Sequence, residues 1–283
     1  MEFIPITNPA VLRSPNPETK NIIDTCLKGY YINSKKEKIS IKEELDLSLA
    51  NTKSYPPDYN YAYDNSDFTP GNKQGLISIH NESTVDACYR LVQQENKSNV
   101  CALNFGNSIH PGGLFATNAR AQEESICRCS SLYYSLIQKH EFYEYNRQNT
   151  KGEASNYLIF SPNVPIWKKN DFTLLDKPIL ASFITSAAVD CLSVRKGINI
   201  DETNDSRIQT ILKCCIENNV EHIILGAFGC GAFHNNPKKI SNCFKKYLVE
   251  QNMKSYFETV TFSIYGDQNN LKVFRDTFRD KPC

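Results

Sequence analysis

Apolar positions follow two alternating spacings from about residue 76 onward. Short apolar runs predict β-strands at 76–80, 99–105, 157–160, 179–185, 222–227 and 260–265. Stripes with helical spacing predict helices at 85–92, 126–137, 208–216, 238–250 and 269–278. Because strands alternate with helices, the pattern predicts an α/β fold built on a layered sheet.

The first 75 residues follow a different pattern. A helix predicted over 21–28 carries its apolar residues on one side, and Gly29 predicts its end. The segment 54–75 is rich in Pro, Gly, Tyr, Asn and Asp, which is typical of a loop. We therefore expect an N-terminal accessory region, residues 1–75, packed on a core domain of residues 76–283.

The charge balance narrows the possible partners. The 283 residues include 32 Lys and Arg against 31 Asp and Glu, for a formal net charge of +1. This gives no electrostatic basis for binding long nucleic acid or an anionic membrane, and no sequence-specific contact with nucleic acid is expected. No run approaches the ~18 apolar residues of a membrane-spanning helix, and the N-terminus lacks the pattern of a secretory signal.

The 11 cysteines predict free thiols rather than disulfides. Their number is odd, Cys214 and Cys215 are adjacent, and several others lie in apolar runs. No C-x-x-C pair and no His at zinc-ligand spacing accompany them. We therefore expect no metal site, no cofactor and a cytoplasmic protein, with a nuclear location also compatible in a eukaryote.

A Gly-rich segment leaves the strand predicted to end at Phe105 and leads into the next helix. It contains Gly112 and Gly113, and Glu123 and Glu124 stand at the head of that helix. Adjacent glycines let backbone N–H groups approach an anion closely. Acidic residues alone are common in the first turn of a helix, but paired acids after a Gly-rich loop favour a functional site.

A second Gly-rich segment, 226–237, also lies between a predicted strand and a helix. It contains Gly229 and Gly231 with an aromatic residue on each side. Neither segment has the G-x-G-x-x-G arrangement of a dinucleotide site in the first βα turn. Ligands of α/β sheets bind at the carboxyl ends of strands, so two such loops predict a diphosphate held between two backbone cradles. An ADP-ribose site has this arrangement.

The segment NFGNSIHPGGLFATNARAQEESICRCSSLYYSL resembles the signature of the microbial-type poly(ADP-ribose) glycohydrolases. These enzymes are catalytic macrodomains whose motif is a Gly-Gly-Gly run followed by Gln-Glu-Glu. GAFGCGAFHNNP is similar to their diphosphate loop, and YLIFSPNVPIW to the segment between the two. The similarity extends back through ISIHNESTVDACYRL and, more loosely, to NIIDTCLKGYY. It implies an α/β, macrodomain-like mixed sheet flanked by helices.

The resemblance also implies roles for the residues that match the motifs. Glu124 is implied as the catalytic acid and base, Glu123 as the residue that positions the scissile ribose, and Gln122 as a support for the loop. Asn107 and Phe233 are implied at the distal ribose. The other implied substrate contacts are Gly112, Gly113, Leu114 and Phe115 in the first loop and Gly229, Cys230, Gly231 and Ala232 in the second.

Cleavage at the anomeric carbon of ribose requires a proton for the leaving oxygen and a base for water. We expect Glu124 to serve both purposes. A neighbouring like charge raises the pKa of a carboxyl, so we expect the pairing with Glu123 to help.

One position departs from the family. Leu114 stands where the motif has its third glycine, which puts a preference for polymer in question. The expected partner is ADP-ribose in poly(ADP-ribose) or in an ADP-ribosylated macromolecule. Three alternatives stay open: a mono-ADP-ribosyl hydrolase acting on protein or nucleic acid, a module that binds ADP-ribose without cleaving it, and an interaction domain whose Gly-rich loops are only turns. Binding alone does not require paired acids, which disfavours the second.

Overall fold

The computed structural model describes residues 15–65 and 68–279. Within them, seven strands form one mixed sheet and two more form a separate hairpin. The strands are β1 (Tyr30–Ile32), β2 (Lys38–Ser40), β3 (Lys53–Tyr55), β4 (Leu76–His80), β5 (Val100–Phe105), β6 (Leu158–Lys168), β7 (Leu174–Ser186), β8 (His222–Leu225) and β9 (Thr259–Ser263). The α-helices are α1 (Pro17–Lys28), α2 (Lys42–Asn51), α3 (Thr84–Tyr89), α4 (Gln122–Cys129), α5 (Leu132–Ile137), α6 (His140–Asn149), α7 (Ile200–Glu217), α8 (Pro237–Lys245) and α9 (Gln268–Phe278).

The large sheet has a parallel part and an antiparallel edge. Its strand order is β3-β6-β7-β5-β8-β9-β4. The strands from β7 to β4 are parallel, whereas β6 is antiparallel to β7 and β3 to β6. Because β5 lies between β7 and β8 and runs parallel to both, the segments that follow these three strands begin at the same edge.

Helices cover both faces of the sheet, and the strands alternate between the two apolar cores. In β5, Val100 and Ala102 contribute to one core, and Cys101 and Leu103 to the other. Helices α1 to α6 pack in the first core, and α7 to α9 in the second. The predicted α/β mixed sheet flanked by helices is confirmed.

The strands predicted after residue 75 are all present, but β6 and β7 extend further than predicted. The prediction ended the first of them at residue 160. A register shift between Ser161 and Val164, with Asn163 at φ 47°, forms an irregularity at which Pro162 is accommodated. The strand continues beyond it, because a bulge absorbs one misfit residue without ending the pairing.

The apolar stripe at 126–137 forms two helices instead of one. Helix α4 ends before Ser130, which forms an isolated bridge with Ile166. The N–H of Ser131 then donates to the carbonyl of Pro165 at 3.1 Å. Pairing with β6 therefore interrupts the helix, a tertiary contact that the spacing of apolar residues does not reveal.

Part of the predicted accessory region shares the sheet and the core of the rest. Helix α1 ends at Gly29, which caps it with φ 71° as predicted. Helices α1 and α2 pack in the same apolar core as α4 and α5, and β3 is an edge strand of the large sheet. The division of the chain at residue 75 stays a prediction.

The described cysteines carry free thiols, and most are buried. Among the described helices, none is both long and apolar enough to cross a membrane.

Candidate active site

The two Gly-rich loops meet at one edge of the sheet. The first loop (residues 106–121) follows β5 and the second (residues 226–236) follows β8, and these strands are parallel neighbours. The rings of Phe105 and Phe228, at the start of each loop, pack edge to face with centroids 5.7 Å apart. A Cβ added to Gly226 would lie 2.8 Å from the Phe105 ring. The convergence expected from the sequence is therefore present.

Gln122 ties the start of α4 to the end of β5. Its side-chain oxygen accepts the N–H of Phe105 at 2.8 Å, and its amide nitrogen donates to the carbonyl of Leu103 at 2.7 Å and to the hydroxyl of Thr84 at 3.0 Å. One side chain thus joins β5, α3 and α4. The role of Gln122 as a support for the first loop stays a prediction.

Glu123 is buried at the head of α4, and both of its carboxyl oxygens accept hydrogen bonds. Oε1 accepts the side-chain N–H of Asn104 at 3.2 Å, and Oε2 accepts the backbone N–H of Asn107 at 2.8 Å. Burial raises the pKa of Glu123 from an ordinary 4.5 to about 8, although the two N–H bonds act in the opposite direction. The charge of Glu124 contributes a smaller increase. Burial is therefore the main cause of the raised pKa of Glu123, whereas the like charge of its neighbour, on which the sequence analysis relied, contributes less.

Glu124 lies beside it with one oxygen engaged and one without a partner. Oε1 accepts the N–H of Leu114 at 2.9 Å. Oε2 is buried and has no hydrogen-bond partner among the residues that the structure describes. A buried carboxyl oxygen without a partner is uncommon and points to a role in chemistry or ligand binding.

Gly113 brings the first loop into contact with both acids. Its φ is 58°, and a Cβ there would overlap Oε1 of Glu124 and lie 3.2 Å from Oε2 of Glu123. Gly112 has φ 69°, and a Cβ there would lie 3.0 Å from the ring of Tyr133 and 3.1 Å from that of Phe115. Only glycine combines this backbone conformation with so close an approach.

Other residues of the first loop take positions that the sequence did not specify. The side-chain oxygen of Asn107 accepts the N–H groups of Ile109 and His110 at 2.8 and 2.9 Å, so it shapes the loop itself. Leu114 is 53% exposed. The Phe115 ring is fully buried against Tyr133, with centroids 4.4 Å apart. This differs from the substrate contact implied for Phe115, because the ring faces the core.

Two buried polar residues support this loop although the sequence analysis did not select them. Asn104 donates to Glu123 and, at 3.1 Å, to the hydroxyl of Thr185. Arg128 donates to the carbonyl of Phe115 through Nε at 3.2 Å and through Nη2 at 2.8 Å. Two features of the sequence could have indicated them. Asn104 is a polar residue within an apolar strand, and Arg128 is a cation four positions after Glu124, on the same side of the helix.

The second loop presents backbone donors that have no internal partner. Among the described residues, the N–H groups of Gly229, Gly231, Ala232 and Phe233 have no acceptor. The N–H of Cys230 instead donates to the carbonyl of Ala227 at 3.0 Å, so it is not one of the free donors that the resemblance implies. Consecutive free N–H groups of this kind form a concave site for an anion.

A buried amide pair holds the second loop in shape from behind. The side chain of Asn235 donates to the carbonyls of Val189 at 2.6 Å and Gly229 at 3.1 Å, and it accepts from Asn204 at 2.7 Å. Gly229 has φ 69°, and a Cβ there would lie 2.5 Å from both Ala188 and Asn235. The loop is therefore fixed on its inner side and open on its outer side.

The sequence of this chain matches one family. The model for the catalytic domain of microbial-type PARG, the poly(ADP-ribose) glycohydrolases, matches residues 19–169, more than half of the chain. The chain belongs to the microbial-type PARG family. This PARG family segment contains the first loop, the acidic pair and β6. A search of curated proteins finds no match.

Solved structures of PARG enzymes are similar to most of this chain. Poly(ADP-ribose) glycohydrolase from Thermomonospora curvata is similar with a TM-score of 0.83 and 26% identity, over 92% of this chain and 98% of that chain. The same enzyme bound to the inhibitor ADP-HPD has a TM-score of 0.79 at 25% identity, over the same shares of the two chains. The enzyme from Deinococcus radiodurans in complex with ADP-ribose has a TM-score of 0.75 and 29% identity, over 83% and 97% of the chains.

Within residues 15–65 and 68–279, no group of three or more His, Cys, Asp or Glu side chains is arranged to hold a metal ion.

Proposed function

We propose that this chain is an ADP-ribosyl glycohydrolase that cleaves the O-glycosidic bond at the anomeric carbon of ribose and releases ADP-ribose. Membership of the microbial-type PARG family supports the proposal. So does the similarity to poly(ADP-ribose) glycohydrolases solved with ADP-ribose and with ADP-HPD. The substrate that we propose is poly(ADP-ribose) or an ADP-ribosylated macromolecule.

ADP-ribose would place its diphosphate against the second loop and its distal ribose against the acidic pair. The free N–H groups of Gly229, Gly231 and Ala232 support the first contact, since backbone donors stabilise phosphate without a cation. Gly112 and Gly113 allow the ribose to approach Glu123 and Glu124 from the first loop, because neither carries a side chain. Asn107 and Phe233 are proposed at the edges of the distal ribose.

The reaction needs one proton and one base, and the acidic pair supplies both. Burial raises the pKa of Glu123 to about 8, so the proton that Glu123 holds below that pH is separate from the one that is delivered. We assign delivery to Glu124, which starts protonated and passes its own proton to the leaving oxygen as the bond to the anomeric carbon breaks. Glu124 then accepts a proton from the water whose oxygen bonds to that carbon. The products are ADP-ribose and a free hydroxyl, and the carboxyl is restored.

One observation carries this assignment: Oε2 of Glu124 is buried without a hydrogen-bond partner among the described residues. Glu123 has both oxygens engaged by the protein, so it is better suited to hold the sugar in place than to transfer the proton.

The test replaces Glu124 by Gln, which keeps the shape of the side chain and removes its proton chemistry. We expect ADP-ribose release from poly(ADP-ribose) to fall by about 1000-fold, while the Kd for ADP-ribose, measured by calorimetry, changes by less than about threefold. Glu43→Gln on the exposed side of α2 is the matched control and should behave as the wild type. Near-normal release by Glu124→Gln would refute the assignment.

A mono-ADP-ribosyl hydrolase is the second candidate function. Leu114 favours it, because an exposed branched side chain lies next to the acidic pair where the family motif has glycine. Protein and nucleic-acid substrates that carry a single ADP-ribose, assayed beside polymer, distinguish the two. The cytoplasmic location also stays a prediction.

A further inference from the structure

We propose that Thr19 and Arg128 are positioning residues that hold the first loop against the acidic pair, so that α1 is part of the catalytic apparatus. This proposal rests on the proposed glycohydrolase function. It concerns the three carbonyl groups of residues 115–117, which begin two positions after Gly113, the glycine that lies against Glu123 and Glu124.

Helix α1 reaches the loop through its first turn. The hydroxyl of Thr19, which is fully buried, donates to the carbonyl of Phe115 at 2.7 Å. The backbone N–H of Asn16 donates to the carbonyl of Ala116 at 3.1 Å, and the Asn16 side chain donates to the carbonyl of Thr117. Asn16 also caps α1, because its side-chain oxygen accepts the N–H of Thr19 at 2.8 Å. The same residue therefore starts the helix and fixes the loop.

Helix α4 reaches the same carbonyls from the other side. The guanidinium of Arg128 donates twice to the carbonyl of Phe115 and once, at 2.9 Å, to that of Thr117. Burial lowers the pKa of Arg128, and the charges of Glu18 and Glu124 act in the opposite direction. Glu18 lies in α1, with its carboxylate 3.7 Å from Nε of Arg128. Burying a cation costs free energy unless it is paired and hydrogen-bonded. Here the loop carbonyls accept the hydrogen bonds of Arg128, and Glu18 of α1 provides the opposite charge.

The carbonyls bound by Thr19 and Arg128 begin one residue after the backbone N–H that orients Glu124. The N–H of Leu114, which precedes Phe115, donates to Oε1 of Glu124. Gly113 lies against both carboxyl groups. A loop that shifted at residue 115 would therefore move the N–H donor and the surface that faces the sugar together. In enzymes a displacement of about 1 Å can reduce turnover by about 100-fold.

The first test removes one hydrogen bond from α1. Thr19→Val keeps the shape of the side chain and loses the donor, Thr19→Ser keeps the donor, and Thr25→Val is the matched control, another buried threonine of α1. We expect Thr19→Val to lower kcat for ADP-ribose release by about tenfold, with the Kd for ADP-ribose within about threefold of the wild type. Thr19→Ser should restore most of the rate, and Thr25→Val should keep it.

The second test weakens the hydrogen bonds that Arg128 of α4 donates to the loop carbonyls. Arg128→Lys keeps the charge and removes the fork that reaches two carbonyls. We expect a larger loss of kcat than for Thr19→Val, again with little change in the Kd. Thermal unfolding of every variant fixes an assay temperature at which all are folded, so that loss of stability does not count as loss of turnover.

Wild-type kcat in both Thr19→Val and Arg128→Lys would overturn the proposal, and so would an equal loss in Thr25→Val. A purely structural role would lower the unfolding temperature and leave kcat of the folded variants unchanged. Failure of the proposed function looks different, because the wild-type protein itself would release no ADP-ribose.

Discussion

The first Gly-rich loop uses its backbone groups inside the protein, whereas the second leaves its donors open. In the first, the N–H groups of Asn107 and Leu114 bind the two carboxylates, and carbonyls are held by Thr19 and Arg128. In the second, four N–H groups face no acceptor in the described part of the chain, and Asn235 holds the loop from behind. Under the proposed function, the first loop orients side chains and the second accepts a ligand's charge. Two Gly-rich loops would then serve different tasks.

The difference between the two loops predicts the largest loss of activity when a methyl group is added to the first loop. We expect Gly113→Ala to lower kcat by about 100-fold, because its Cβ would overlap the Glu124 carboxyl and require a strained φ. Gly197→Ala is the control, because this glycine lies outside both loops, has a φ of 87° and has nothing within 4 Å of its Cβ position. Steady-state release of ADP-ribose measures both variants. Equal losses would show that overlap with the Glu124 carboxyl is not the cause.

Removing the side chain that supports the second loop should have a smaller effect. We expect it to weaken the binding of ADP-ribose rather than to slow turnover. Asn235→Ala removes the donors to Val189 and Gly229, so the free N–H groups lose their alignment. We expect the Kd for ADP-ribose to rise about tenfold, the equivalent of one or two hydrogen bonds, with kcat at saturation nearly unchanged. Asn156→Ala, which removes an amide bonded to Ser206 away from both loops, is the control. If kcat fell and the Kd did not change, the division of tasks would be wrong.

The burial of Glu123 makes the stability of the first loop depend on pH. The pKa of Glu123 is about 8 in the folded state and 4.5 in the unfolded state. The protonated side chain therefore contributes its full share to the free energy of unfolding below pH 4.5, and this share is lost as the pH rises towards 8. Between pH 6 and pH 7 the unfolded state has already lost this proton and the folded state still holds it, so the free energy of unfolding falls by about 1 kcal/mol over this interval. Denaturant unfolding of the wild type and of Glu123→Gln should show this decline only in the former. Parallel curves would contradict the raised pKa.

The smallest effect is expected at Leu114. Its side chain is half exposed, and its N–H bond to Glu124 does not depend on the side chain. We expect Leu114→Gly to change release from a mono-ADP-ribosylated protein by less than about twofold. The informative quantity is the ratio of polymer to mono-ADP-ribosyl activity, which should rise if Leu114 restricts polymer. An unchanged ratio would remove Leu114 as a determinant of specificity.

The sequence predicts the six strands of the sheet after residue 75 and the two Gly-rich loops, because both depend on local patterns, but it does not predict the edge strand β3, which lies at the start of a segment with loop composition. It also predicted that Glu123 and Glu124 stand together, since they are neighbours at a helix start. It does not predict which way a ring in an irregular loop faces, and the substrate contact of Phe115, implied by the resemblance alone, differs from its buried position. Nor did it predict Arg128 as a partner of the loop, because that contact depends on how α4 packs against α1. Tertiary contacts of this kind leave no periodic signal in the chain.

The strand order has a consequence for how this protein folds during its synthesis. Strand β5 carries the first loop, yet both of its neighbours, β7 and β8, come later in the chain. A nascent chain that has reached residue 169 already contains the acids but exposes both edges of β5, which are open to pairing with other chains. The segment that matches the family model therefore cannot be excised as a working unit, and C-terminal truncations before β8 should aggregate rather than retain partial activity.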